Sequence, residues 1–179
     1  YLLVDLMKID PSGRNLYIGF SEETMCTSDP TCRASMVSIY KEIKALLPEA
    51  NLFYYGASGD LPDDILALAK EANLTLVGYD DYEYEYFNNT VIVPAYVISN
   101  IAYLENNGYN GRIMVGEVGL RVCDQKAYVQ AFQNTYAGSV NCTAPAIYDS
   151  QILKQYEEEL HPTFIGIWAW NGPPFGVVD

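Results

Sequence analysis

Short, almost wholly apolar segments alternate with longer segments of helical period along the 179 residues, and this alternation most restricts what the chain can fold into. Residues 15–20, 51–55, 74–79, 112–118 and 163–170 read as strands with little polar alternation. Strands of that kind are covered on both faces, as in parallel sheets. Between them lie helical patterns. Leu2, Leu3, Leu6 and Met7 share one face, and Asp10-Pro11-Ser12-Gly13 supplies the stop. Val37, Tyr40, Ile43, Leu46 and Leu47 form a stripe over 34–47, with Pro48 beyond it. Pro62, Asp63 and Asp64 open a helix running to about residue 71. Further helices are expected over 91–105, 125–137 and 150–160, with a tyrosine- and acid-rich stretch over 80–87. Strand–helix alternation with crossovers makes βαβ units, so the fold class is α/β with a parallel sheet. No low-complexity linker interrupts it, and residues 1–179 read as a single domain.

The cysteines and sequons bear on compartment. Four cysteines leave three pairings open, and the simplest joins near neighbours, Cys26 with Cys32 and Cys123 with Cys142. A zinc site is disfavoured by the single histidine, His161, and the absence of ligand spacing. N-x-S/T sequons fall at Asn73, Asn88 and Asn141. Together these predict a secreted or cell-surface protein with disulfides and N-linked glycans. No signal peptide is legible at Tyr1, so a secreted protein would be represented here by a mature or partial form. The net charge of −13 argues against nucleic acid and anionic lipid as partners. No run of about 18 apolar residues is present, so no membrane span is expected.

In parallel barrels chemistry gathers where strands end. The residues there are Ser21-Glu22-Glu23, Gly56-Ala57-Ser58, Tyr79-Asp80-Asp81-Tyr82, Glu117, and Trp168-Ala169-Trp170-Asn171. Two acids and several aromatic faces suit a carbohydrate, which needs carboxylates for the bond and ring planes for the sugars. Glu117 stands out because Ile113, Met114, Val115 and Gly116 before it are apolar or small. A buried carboxylate is costly unless paired or used. Its structural alternative is an ion pair with Arg112 or Arg121. His161, at a helix end before Pro162, reads as a dipole partner. The tyrosines at 79, 82, 84 and 86 fit either a glycan-stacking surface or an edge segment of alternating exposure.

The order strand-Ser-Glu, strand, strand-Tyr, strand-Gly-Glu-Val-Gly, strand-Trp-Ala-Trp-Asn resembles strands four to eight of clan-A retaining glycoside hydrolases, (β/α)₈ barrels, with endo-β-1,3-glucanases nearest in flavour. The resemblance implies Glu22 as acid/base and Glu117 as nucleophile, with no metal or organic cofactor. Tyr79, Tyr82, Trp168, Trp170 and Asn171 would line the substrate. Ser21 stands where the clan has Asn, and Glu23 adds a neighbouring acid. Nothing corresponding to strands one to three is legible, so a partial barrel is expected, completed by a further chain or by self-assembly. The implied partner is carbohydrate, a β-linked glucan substrate besides the covalent glycans. The alternative is a catalytically silent secreted glycoprotein that serves as an assembly subunit or glycan-binding module.

Overall fold

The computed structural model describes residues 2–20, 26–57, 59–81, 85–87, 90–92, 95–118 and 144–167. Helix α1 (Leu2–Ile9) is followed by a turn knitted by Asp10, whose carboxylate accepts from the backbone of Gly13 and Asn15 and from the Ser12 hydroxyl. Strand β1 (Tyr17–Gly19) comes next, then a single 3₁₀ turn (Cys26–Ser28) and helix α2 (Pro30–Leu46). Asp29 caps α2 by accepting from the Thr31 and Cys32 amides, and Pro30 fits the first turn, where its missing N–H leaves no bond unmade. Cys26 and Cys32 form a disulfide, the first of the two expected. Cys123 and Cys142 lie outside the described residues.

Strand β2 (Asn51–Gly56), helix α3 (Pro62–Ala72) and strand β3 (Leu76–Asp81) complete two βαβ units. An antiparallel pair follows, β4 (Glu85–Phe87) with β5 (Thr90–Ile92), before helix α4 (Ala95–Asn106). The helix expected from residue 91 therefore begins only after Pro94. The preceding Thr-Val-Ile is a β-branched run that suits a strand. Strand β6 (Arg112–Val118), helix α5 (Ala144–Leu160) and strand β7 (Phe164–Ile167) end the described chain. The helix expected over 125–137 lies outside the described residues.

The main sheet has the order β1-β2-β3-β6-β7, and every adjacent pair is parallel. With helices alternating along it, this is a partial barrel of the α/β class. Its strands have two distinct faces. Tyr54, Val77, Tyr79, Ile113 and Val115 belong to the core shared with the helices, together with Tyr40, Ile65, Leu68, Ile101 and Leu104. Phe53, Tyr55, Gly78 and Met114 alternate with them and stand on the other face, which is the inner wall of the barrel. Phe53 and Tyr55 stack there with ring planes 8° apart. Tyr40 fastens the end of β1 to the middle of β2. Its fully buried hydroxyl donates to the Phe53 carbonyl at 2.7 Å and accepts from the Phe20 amide at 3.2 Å.

Candidate active site

The C-terminal end of β6 departs from regular pairing on both sides. Against β3, Tyr79 pairs with Val115 and Asp81 with Val118; against β7, Val115 pairs with Ile165 and Val118 with Ile167. In each case one residue of the neighbour faces two of β6, Gly116 and Glu117. This is a β-bulge, a device that re-aims a side chain and is common beside active sites. Strict alternation from Ile113 and Val115 would send Glu117 to the helix side. The bulge shifts the phase, so that Val118 returns to the helix-side core and Glu117 stands on the inner wall.

Glu117 is half-buried there and accepts a 2.7 Å hydrogen bond from the Tyr55 hydroxyl of β2. Tyr55 reaches it by passing Gly116: a Cβ on Gly116 would lie 2.0 Å from the Tyr55 ring. Arg112, one of the ion-pair partners considered for Glu117, is engaged at the opposite end of the strand. Its guanidinium donates to Asn51 Oδ1 at 2.6 Å and lies 5.6 Å from the centre of the Tyr17 ring. Arg121 lies outside the described residues.

Behind the rim, the loops after β1 and β2 are joined through Asp60. Its buried carboxylate accepts from the Thr27 hydroxyl at 2.9 Å, the Ala57 amide at 3.0 Å and the Tyr54 hydroxyl at 3.2 Å. Asp81, also fully buried, accepts from the Tyr156 hydroxyl of α5. Asp80, beside it, lies on the inner-wall side of β3 opposite the bulge, and the Tyr96 hydroxyl donates to its backbone carbonyl. Among the described residues, no group of three His, Cys, Asp or Glu side chains is placed to hold a metal, and no helix is long and apolar enough to cross a membrane.

The expected site residues divide as follows. Glu117 is at the rim. Tyr79, expected as a sugar platform, has no exposed surface; it packs in the helix-side core, where burial and the nearby Asp60 charge push its hydroxyl up from the ordinary value. Its position three residues after Leu76 gives it the parity of Val77, the helix side. Glu22, Tyr82, Trp168, Trp170 and Asn171 lie outside the described residues, as do Asn88 and Asn141. Asn73 is described and exposed. His161 follows α5 in the left-handed region, φ 45°, and is exposed. Tyr55 was not expected. Its signal is the doublet Tyr54-Tyr55, which on a strand must send one ring to each face.

The chain is similar in fold to a thermostable mutant of a xylanase from Cellvibrio japonicus, with a TM-score of 0.51 and 13% identity over 80% of this chain and 47% of that one. The fold is a partial (β/α)₈ barrel. A second solved structure, the catalytic core of xylanase A, matches with a TM-score of 0.51 and 14% identity over 80% of this chain and 48% of its own. The chain thus spans about half the length of these barrels. No family model and no curated protein sequence matches it.

Proposed function

We propose that this chain contributes strands four to eight of a secreted retaining glycoside hydrolase that cleaves a β-linked glycan. The observation that carries the reading is the bulge that turns Glu117 onto the inner wall, where Tyr55 holds it. In this mechanism Glu117 attacks the anomeric carbon as the bond to the leaving oxygen breaks, and Glu22 gives that oxygen its proton. Glu22 then takes a proton from water, the water oxygen bonds to the anomeric carbon, and Glu117 is released. The carboxyls of a retaining pair stand about 5–5.5 Å apart. Trp168, Trp170 and Tyr82 supply ring faces to the sugars.

The barrel would be closed by further βα units, from another segment or a second copy. Tyr17 of β1 and Phe164 of β7 are 50% and 49% exposed on the inner-wall side of the two outermost strands, which is where such units would pack. The substrate class is β-glucan, as the motif order implies, and xylan is the competing backbone because the matched barrels are xylanases.

The test compares the full natural polypeptide with its Glu117→Gln variant on β-1,3-glucan, β-1,4-glucan and xylan. Turnover with retained anomeric configuration, abolished by the substitution, supports the proposal; the preferred backbone identifies the substrate. Equal, near-zero rates on all three from a closed assembly would instead support a silent glycoprotein used for assembly or glycan binding.

A further inference from the structure

At the opposite end of the sheet from Glu117, a cleft of about 590 Å³ opens between the end of α3 and the start of β6. Its walls include Lys70, Asn73, Thr75, Tyr109, Gly111 and Arg112. The volume is within the range of sites that hold small molecules. The walls bring several hydrogen-bonding groups together, with Tyr109 largely buried behind them. One wall carries the sequon Asn73-Leu74-Thr75.

Asn73 ends α3 in the left-handed conformation, φ 52° and ψ 51°, with its backbone N–H bonded to the Ala69 carbonyl. The left-handed region favours glycine, and asparagine is the next choice. Helix α4 meets the same need with Gly108, φ 90°. At the end of α3 an exposed asparagine stands instead, two residues before a threonine, beside a cleft. Leu74, between them, is buried, and Thr75 donates to the Leu52 carbonyl at 2.9 Å, so the segment is firmly held and Asn73 alone projects from it.

We propose that Asn73 is N-glycosylated and that the first sugar of the glycan lies in this cleft. In the transfer, the Asn73 carboxamide nitrogen loses a proton and bonds to the anomeric carbon of a lipid-diphosphate-linked oligosaccharide. The bond from that carbon to the diphosphate oxygen breaks, and the lipid diphosphate leaves with the electron pair. The glycan then fixes the turn between α3 and β3 and covers the 108–112 segment. The six residues of β3 rise about 3.3 Å each, so the glycan sits roughly 20 Å from the strand-end rim and leaves it open. The inference shares with the proposed function only the secretory route. Its test does not depend on hydrolysis.

The experiment uses the full polypeptide made in a eukaryotic secretory host, alongside Asn73→Gly, which keeps the left-handed cap and removes the acceptor. Glycopeptide mapping is expected to find Asn73 occupied. Trimming the glycan to its first sugar should leave Tm unchanged, whereas the Asn73→Gly protein should melt about 2–4 °C lower. Amide exchange over 108–112 should be several-fold slower with the first sugar present than in Asn73→Gly. An unoccupied Asn73 overturns the proposal. An occupied Asn73 whose removal changes neither Tm nor exchange over 108–112 overturns the seating in the cleft. Neither result touches the Glu117 assay, which reads the other end of the sheet.

Discussion

At position 116 one methyl group decides whether Tyr55 can reach Glu117. A Cβ there would sit 2.0 Å from the ring, so Gly116→Ala must displace either the ring or the bulge. In the proposed hydrolase its expected effect is a loss of roughly 100-fold in turnover, since an error of about 1 Å in placement costs that much. Tyr55→Phe tests the hydrogen bond without the clash. It keeps the ring stacked on Phe53 and removes the 2.7 Å bond, so turnover should fall by roughly 10- to 100-fold while stability changes by about 1 kcal/mol. Steady-state rates beside thermal melts separate the two effects. Unchanged turnover in Tyr55→Phe would remove the positioning role. Glu117 was legible in the sequence as the lone carboxylate of an apolar strand. Its partner was not, because simple alternation puts Tyr55 and Glu117 on opposite faces. Only the bulge reverses that, and a glycine before an acid does not announce a bulge.

Elements were legible in proportion to how much of their signal was local. The five strands were found because each is an apolar run bounded by turn residues, and β6 was found to the residue. The start of α2 was missed by four residues, since the disulfide loop was expected to precede the helix. In fact Cys32 lies inside the helix, and the local signal was Asp29-Pro30. The β4–β5 pair was hidden by Pro94, which marks a helix start but does not say how far the helix reaches back. Two interventions at the α2 entrance follow. Asp29→Ala leaves the Thr31 and Cys32 amides without their cap and should cost about 1 kcal/mol. Reducing Cys26–Cys32, which closes a loop over a sequence separation of 6, should cost about 2 kcal/mol by the chain-entropy account. Calorimetric melts with and without reductant, on wild type and Asp29→Ala, check both. The two sites are adjacent, so their costs should not add.

For the whole molecule, the parallel order of strands followed from their doubly covered, apolar character, while the assignment of side chains to the inner wall or the helix layer needed the register. Tyr79 shows the difference, since it closes an apolar run and yet contributes its ring to the core. That burial makes stability sensitive to alkaline pH. Burial raises the hydroxyls of Tyr79, in the helix-side core of β3, and of Tyr109, near the start of β6, above the ordinary value of 10.0, with the Asp60 charge adding to the rise at Tyr79. Tyr103, whose hydroxyl donates to Asp63, is raised as well. The unfolded chain loses these protons from about pH 10 upward, while the folded chain keeps them. Ionisation therefore favours unfolding: the stabilising contribution is complete below pH 10 and is lost as pH climbs toward the raised folded values. Denaturant unfolding at a series of pH values should show a midpoint level through neutrality and falling steeply above about pH 10. Tyr79→Phe and Tyr109→Phe should each flatten the fall, because phenylalanine has no proton to lose. Tyrosinate absorbance in the folded protein should show a subset of tyrosines that ionises only on unfolding. If all sixteen tyrosines instead titrate together near the ordinary value while the chain stays folded, the burial of these two rings is not what governs its alkaline limit.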